Sequence, residues 1–262
     1  AFAQFQNMKT VDVNNDGRAD LIDVYNNNGN AEIRVRISTP NGFQTENWTG
    51  GGQGAYTESM NWFTGDFDND GDTDIGKMWK NGSNMEADVH VSSGSGFTKE
   101  DWATSQGGFA YNQHWFAGDY TGDGTDDLLK FWNAGGTITI DVHESNTNSF
   151  SNVRKMTNVG GYFATMDFLS GDFDGDGALD IMKVWKDNGS YSLEAYEGGS
   201  FAVDSYATQQ GTYDLLHKWF IGDFNGDGND DLVRLWGENF DIEQGGTTSA
   251  EAHISDGDTF TL

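Results

Sequence analysis

Short apolar segments that end in a large aromatic residue recur along the chain at nearly constant distance. They read LIDVY, IGKMW, LLKFW, IMKVW and LVRLW, and they end at Tyr25, Trp79, Trp132, Trp185 and Trp236. A second segment of the type VHVS follows each of them, and an aromatic residue comes after it, at Phe43, Phe97, Phe150, Phe201 and Phe260. Gly, Asn and Asp, which favour turns, separate these segments. Each unit is therefore predicted to contain three or four short β-strands.

An acidic nine-residue loop precedes each apolar segment and sets the period of the repeat. The loops are DVNNDGRAD from Asp12, DFDNDGDTD from Asp66, DYTGDGTDD from Asp119, DFDGDGALD from Asp172 and DFNGDGNDD from Asp223, at spacings of 54, 53, 53 and 51 residues. A period of this length indicates a repeat architecture built from one supersecondary unit. The units start near residues 5, 60, 113, 166 and 217.

The spacing of oxygen-bearing residues in these loops predicts a calcium site in each unit. Side chains at positions 1, 3, 5 and 9 of a tight loop can converge on one ion, and position 7 offers its backbone carbonyl. The predicted ligands are Asp12, Asn14, Asp16, Arg18 and Asp20; Asp66, Asp68, Asp70, Asp72 and Asp74; Asp119, Thr121, Asp123, Thr125 and Asp127; Asp172, Asp174, Asp176, Ala178 and Asp180; and Asp223, Asn225, Asp227, Asn229 and Asp231. Up to five structural Ca²⁺ ions follow, and the alternative is a set of solvated aspartate turns.

An EF-hand does not explain the loops. It needs a bidentate Glu at position 12 and flanking helices, and here position 12 is Asp23, Lys77, Lys130, Lys183 or Arg234 and lies in a strand-like segment. The units instead resemble FG-GAP or VCBS repeats, with the signature D-x-[DNT]-x-D-G-x-x-D present in all five. Such repeats form the blades of calcium-binding β-propellers, among them integrin α-subunit heads and fungal lectins of the Psathyrella velutina type.

The resemblance extends over nearly the whole chain and implies an all-β fold. We expect a single β-propeller domain over residues 1–262, with five blades of four antiparallel strands and one calcium loop in each blade. The last unit ends soon after Phe260, so either AFAQF at the N-terminus closes the last blade or the chain belongs to a larger propeller. A closed five-bladed ring is the simpler expectation, because it removes two exposed sheet edges.

Composition narrows the classes of partner. The formal net charge of −28 disfavours binding to nucleic acid or to an anionic membrane surface. The chain has no Cys, which rules out disulfides and thiolate metal sites. No apolar run reaches the roughly 18 residues of a membrane-spanning helix. Because extracellular calcium is abundant enough for loops of this kind and the chain begins AFAQ, we expect a secreted protein.

A basic residue stands two positions before the aromatic residue in four of the five apolar segments. Residues two apart share a face of a strand, so each pair offers a flat ring beside a cation, which suits carbohydrate recognition. The candidate ligand-binding residues are Lys77, Trp79, Lys130, Trp132, Lys183, Trp185, Arg234 and Trp236. The alternative is that these Trp residues are core and that the cations neutralise loop carboxylates.

Two further groups of aromatic residues are candidates for the hydrophobic core. One is Trp62, Trp115, Phe168 and Trp219, and the other is Trp48, Trp102 and Tyr206. Repeated histidines at His90, His143 and His253 suggest a hydrogen-bonding role on a blade face or a polar group in a ligand site.

These patterns favour a secreted, calcium-stabilised lectin without enzymatic activity, with repeated sites for glycans or glycoproteins. A protein-interaction or adhesion module of a larger secreted enzyme, toxin or surface protein is the second reading. A polysaccharide lyase or hydrolase is the third, and it would draw its acid and base from the irregular stretch 237–253, which carries Glu238, Asp241 and Glu243. The oligomeric state is not predicted.

Overall fold

The structure of the protein is a computed structural model. It describes residues 7–48, 53–57, 59–103, 106–109, 113–212, 217–238 and 247–261. These residues form five antiparallel sheets of four strands each. Within each sheet the strands lie side by side in sequence order. The fold is an all-β propeller of five four-stranded blades, which confirms the predicted fold class and blade content.

The blades follow one another along the sequence. Blades 1 to 3 contain β1 (Asn7–Val11), β2 (Asp20–Asn27), β3 (Asn30–Thr39), β4 (Gly42–Asn47), β5 (Asn61–Gly65), β6 (Asp74–Asn81), β7 (Asn84–Ser92), β8 (Phe97–Ala103), β9 (His114–Gly118), β10 (Asp127–Asn133), β11 (Thr137–Ser145) and β12 (Phe150–Gly161). Blades 4 and 5 contain β13 (Asp167–Gly171), β14 (Asp180–Asp187), β15 (Ser190–Tyr196), β16 (Val203–Thr212), β17 (Lys218–Gly222), β18 (Asp231–Glu238), β19 (Thr247–Ser255) and β20 (Phe260–Thr261).

The chain divides into two compact units. The first comprises residues 1–118, 124–131 and 140–154, and the second comprises residues 119–123, 132–139 and 155–262. Blades 1 and 2 belong to the first unit, blades 4 and 5 belong to the second, and blade 3 contributes segments to each. The segment AFAQF, for which we considered a closing role, lies outside the described residues.

The turn chemistry of the sequence explains the tight hairpin between the second and third strands. In blade 1 this hairpin pairs Asn27 with Asn30, so Asn28 and Gly29 form a two-residue turn with φ of 53° and 88°. Two consecutive residues with positive φ give the turn whose twist matches that of the flanking strands, and Asn-Gly is its preferred sequence. Asn188 and Gly189 form the same turn in blade 4, with φ of 51° and 95°.

The hydrophobic core lies between the faces of successive blades. In the first unit, one cluster joins Ile22 and Ile33 of blade 1 to Trp62 of blade 2, and another joins Met78 of blade 2 to Phe150 of blade 3. The residue at the second position of the acidic loop is fully buried in blades 1 to 4, as Val13, Phe67, Tyr120 and Phe173, all with 0% exposure. Val13 and Phe67 belong to these two clusters, and Phe173 belongs to a cluster of the second unit. Phe224, the same position in blade 5, is 55% exposed.

Burial separates the three aromatic groups that the sequence left undivided. Trp48, Trp102 and Tyr206 are buried, as are Trp62 and Phe168, while Trp115 and Trp219 are partly buried and pack against the clusters. Trp79, Trp132, Trp185 and Trp236 are partly exposed. The second and third groups are therefore packing residues. The rings of the basic-x-aromatic pairs all keep an intermediate exposure, which Trp115 and Trp219 share.

We predict that Phe67→Ala lowers the free energy of unfolding by about 3–5 kcal/mol, because it empties a fully buried site between two blades. Phe224→Ala is the matched control at the same position of the repeat. We expect it to cost less than about 1 kcal/mol, because the ring is already in water. Urea denaturation followed by tryptophan fluorescence measures both, and equal losses would contradict the assignment.

Candidate functional site

Each acidic loop connects the first and second strands of its blade and folds back on its first aspartate. In blade 2 the Asp66 carboxylate accepts hydrogen bonds from the backbone N–H groups of Asp70, at 3.1 Å, and Gly71, at 2.9 Å. Asp68 in turn accepts one from the N–H of Asp70 at 3.2 Å. Blades 1 and 5 repeat both bonds to their first aspartates, Asp12 and Asp223. In blade 4 the carboxylate of Asp172 accepts hydrogen bonds from the N–H groups of Gly175 and Gly177. The loop is thus a tight turn lined by carboxylate and amide oxygens.

The last aspartate of every loop is buried, and its carboxylate ties the loop to the third strand. All five, Asp20, Asp74, Asp127, Asp180 and Asp231, have 0% exposure. Asp74 accepts hydrogen bonds from the N–H of Phe67 at 3.1 Å and from the N–H of Ser92, at the end of β7, at 2.7 Å. A buried carboxylate requires such donors, so the ninth position fixes where the third strand ends.

Oxygen atoms converge in the loops of blades 2 and 4. In blade 2, three carboxylate oxygens lie within 4.8 Å of one another, one each from Asp66, Asp68 and Asp70. In blade 4 the same is true of one oxygen each from Asp172, Asp174 and Asp180. Burial, followed by the negative charge of Asp70, raises the pKa of Asp68 to about 6. Carboxylates this close repel one another, and a bound cation or protonation relieves the repulsion. Hard oxygen donors of this type are the ligands that Ca²⁺ takes.

The loops also join successive blades. The carbonyl of Asp66 accepts a hydrogen bond from the N–H of Asp126 at 2.9 Å, and the Asp126 carboxylate accepts one from the N–H of Asp66 at 2.8 Å. Asp172 and Asp230 form the same reciprocal pair in the second unit, at 2.7 and 3.0 Å. Any ion that orders a loop therefore also stabilises a boundary between blades.

The basic residues of the basic-x-aromatic pairs are buried and ion-paired. Lys77, Lys130, Lys183 and Arg234 are 3–5% exposed. Each faces a carboxylate on the neighbouring third strand of its blade: Lys77 pairs with Asp88 at 2.5 Å, Lys130 with Asp141 at 2.8 Å, Lys183 with Glu194, and Arg234 with Glu251 at 3.4 Å. The cations therefore neutralise partners within the sheet.

Blade 1 carries the same ion pair with the charges exchanged. Asp23, 2% exposed, occupies the position of the lysines, and it pairs in register with Arg34, whose guanidinium lies 3.4 Å from it. Arg34 also lies 4.5 Å from the centre of the Tyr25 ring. The two positions carry opposite charges in every blade, but the strand that carries the positive charge differs between blade 1 and the others.

A partly exposed ring covers the cation in three other blades. The Nζ atoms of Lys77 and Lys183 lie 4.7 and 4.4 Å from the ring centres of Trp79 and Trp185, and the guanidinium of Arg234 lies 4.2 Å from that of Trp236. Cation–π attraction of this kind fixes the orientation of the rings.

A pocket opens beside the ring in blades 2 and 4. In blade 2 it has a volume of about 330 Å³, and its lining includes Trp79, Asp88, Lys99 and Asp101. In blade 4 the pocket, of about 320 Å³, includes Trp185 and Phe163 in its lining. These volumes are at the lower end of the range typical of small-molecule sites.

The backbone that precedes blades 2 and 5 lies against the buried cation of the following blade. The carbonyl of Gln53 accepts a hydrogen bond from Lys77 Nζ at 3.3 Å. A Cβ atom at Gly54, which has φ of 83°, would come within 3.2 Å of that Nζ. Gly211 lies in the same way against Arg234, whose Nη1 would be 2.9 Å from a Cβ at that position. A side chain at these glycines would displace the cation from the pair.

The repeated histidines are buried beneath the packing aromatics. His90, His143 and His253 are at most 1% exposed, and their rings lie 5.2–6.0 Å from Trp62, Trp115 and Trp219. Burial, with the charges of Lys77 and Lys99, lowers the pKa of His90 to about 3, so that its ring is neutral at physiological pH. Its Nδ1 contacts Gln53 Oε1. His90 thus supports the linker from inside the blade.

Sequence reasoning found the cations and the rings but missed the acids that hold them. Asp88, Asp141 and Glu194 stand eleven residues after Lys77, Lys130 and Lys183, and Arg34 stands eleven residues after Asp23. A search for opposite charges at one fixed distance, with the sign reversed in one unit, would have found four of the five pairs. Residues 239–246 of the irregular stretch 237–253, which include Asp241 and Glu243, lie outside the described residues.

Comparisons with known proteins support the fold. No protein-family model matches the chain, and no curated protein matches it. Among solved structures it is similar to an Agrocybe aegerita lectin described as specific for non-reducing terminal N-acetylglucosamine, with a TM-score of 0.69, 20% identity, and coverage of 98% of this chain and 65% of the lectin chain. It is also similar to part of the Photorhabdus luminescens Tc holotoxin pore, with a TM-score of 0.58, 15% identity, and coverage of 100% of this chain and 12% of the toxin chain. The chain thus spans less than two thirds of either.

No helix in the described ranges is long and apolar enough to cross a membrane.

We predict that the ion pair of blade 4 tolerates an exchange of its charges. Lys183→Glu or Glu194→Lys alone should lower the free energy of unfolding by about 3 kcal/mol, because each leaves two like charges facing each other in a largely buried site. The double variant should recover most of this loss, since it recreates the arrangement of blade 1. A double-mutant cycle measured by urea denaturation tests the coupling, and additive losses would contradict it.

Proposed function

We propose that the protein is a carbohydrate-binding propeller. Each glycan site would lie beside the partly exposed ring of a blade in which that ring covers an ion-paired cation. The observation that carries the proposal is the contrast among the aromatic groups. Five of the seven members of the other two groups are buried, whereas Trp79, Trp132, Trp185 and Trp236 are all partly exposed at equivalent positions. A flat ring held at a pocket and surrounded by charged groups that donate and accept hydrogen bonds suits the apolar face and the hydroxyl rim of a sugar.

The electrostatics favour a neutral sugar over an acidic one. Lys77 is already neutralised by Asp88, and Asp101 at the rim of the same pocket has a side chain that is 74% exposed. With a net charge of −28, the chain would repel an anionic glycan. Hydroxyl groups can donate to Asp101 and accept from Lys99, and this requires no charge on the ligand.

The structural similarity to the fungal lectin supports this choice and suggests the first sugar to test. That lectin recognises terminal N-acetylglucosamine, a neutral sugar. At 20% identity the similarity concerns the fold, so the sugar that this chain prefers remains open to experiment. Repeated weak sites on one molecule would bind glycoproteins by avidity and agglutinate them.

Calcium is proposed as the structural ion of the acidic loops. The loops of blades 2 and 4 each bring three carboxylate oxygens within 4.8 Å of one another, and loop residues form hydrogen bonds between successive blades. An ion in such a loop would hold the backbone groups that join one blade to the next. The extracellular space, where calcium is abundant, is the proposed location.

A protein-interaction module is the second candidate. The similarity to a segment that covers only 12% of a toxin chain indicates that this fold also occurs inside much larger proteins. The two functions differ in a simple competition experiment, because binding to a protein partner would persist in excess free sugar.

We predict that a glycan array probed with labelled protein in calcium identifies a neutral sugar class. Trp79→Ala and Trp185→Ala should each weaken binding at their site about tenfold, which corresponds to the loss of one ring contact. Phe43→Ala, which removes an exposed ring at a different position of the repeat, is the control and should bind as the parent protein does. A blank array from folded, calcium-loaded protein would favour the interaction module instead.

We predict that excess EGTA lowers the melting temperature by more than about 5 °C. Each ion that binds only the folded chain adds about 2.7 kcal/mol when its concentration is a hundredfold above Kd, and several loops contribute together. Differential scanning fluorimetry with calcium added back provides the reversal. An unchanged melting temperature would contradict the structural role of calcium and leave the glycan proposal to its own test.

A further inference from the structure

Glu197, which directly follows β15, places a carboxylate where three of the other four blades have an apolar side chain. It is 7% exposed. The equivalent residues of the other four units are Ile37, Val91, Glu144 and Ile254. Ile37 and Val91 pack against the hydrophobic clusters of the first unit. In blade 4 a charged group therefore replaces part of the core.

Neither carboxylate oxygen of Glu197 has a hydrogen-bond partner among the described residues. The ninth-position aspartates are also buried, yet their oxygens receive backbone N–H groups. An ionised carboxylate that is buried without donors is strongly unfavourable, so something else has to compensate its charge. Burial, followed by the negative charges of Asp180 and Asp174, raises the pKa of Glu197 to about 8.

The neighbours of Glu197 are the converging oxygens of the blade 4 loop. The N–H of Gly198, the next residue, donates to Asp180 Oδ1 at 2.7 Å. Asp180 belongs to the set, with Asp172 and Asp174, whose ligand atoms lie within 4.8 Å of one another. The charges of Asp174 and Asp180 both act on Glu197. A cation bound among these three aspartates would be the nearest positive charge available to the Glu197 carboxylate.

We propose that Glu197 is an additional anionic group of a Ca²⁺ site in the blade 4 loop, and that it makes this loop the tightest of the five. The inference rests on the proposed calcium loops and adds a rank order to them. Affinity in oxygen-ligand loops rises with the number of charged ligands. The blade 2 loop, with Asp68 at position 3 as blade 4 has Asp174, is the internal reference, because it has the same ligand types and carries Val91 in place of Glu197.

The test is a calcium titration by isothermal calorimetry of the whole chain and of reciprocal variants. The parent protein should show one site that binds about tenfold more tightly than the others. Glu197→Val, which gives blade 4 the residue of blade 2, should remove that tight site and leave the weaker ones. Glu197→Gln should do the same with less change in packing. Glu144→Val removes an equivalent carboxylate beside the blade 3 loop and should keep the tight site.

Melting temperatures measured in EDTA and in calcium distinguish two ways of compensating the buried charge of Glu197, which are a bound ion and protonation. Without calcium, Glu197→Val should melt at a higher temperature than the parent, because it removes a buried carboxyl group that has no hydrogen-bond donor in the described part of the chain and restores an apolar side chain. With calcium, it should gain fewer degrees than the parent gains. Equal gains, or a tight site that survives both substitutions at Glu197, would overturn the inference. Five equivalent sites in the parent would also overturn it, whereas no calcium binding at any loop would contradict the calcium proposal as a whole.

Discussion

The carboxylate at the end of each acidic loop is buried and therefore needs hydrogen-bond donors. The backbone groups that donate to it determine how the loop and the strands of the blade are arranged. Asp74 takes its donors from the start of its own loop and from the end of the third strand. These two bonds set the loop against the sheet. With the loop in place, the backbone of Asp66 meets Asp126 of the next blade, and the ring of Phe67 enters the core between them.

The repeat, the loops and the strand content could be predicted from the sequence because each depends on local spacing. A nine-residue pattern with Gly at its sixth position specifies its own turn, and Asn-Gly specifies the hairpin that follows. The ion pairs could not be predicted in the same way. Lys77 and Asp88 face each other only because the register of β6 and β7 brings them together, and register is a property of two strands.

The aromatic residues show a second limit of the sequence. Trp62 and Trp79 are the same residue type, and both lie in strands of one blade, yet one is buried and the other is partly exposed. The difference arises from the neighbouring blade and from the linker, which cover one face and leave the other open. Glu197 is a related case, since its sequence position resembles an exposed turn and only the fold reveals that it is buried.

The cation that lies over each ring has a stereochemical consequence. Because Lys77 lies over the ring of Trp79 and Lys183 lies over that of Trp185, each cation restricts the part of the indole that a bound sugar could contact. A pyranose that stacks there has to present its own hydrogen-bearing face, with its equatorial hydroxyls directed outward. In the proposed glycan site, an axial hydroxyl on that face would stand between sugar and ring, so the site would discriminate epimers by shape before any hydrogen bond is compared.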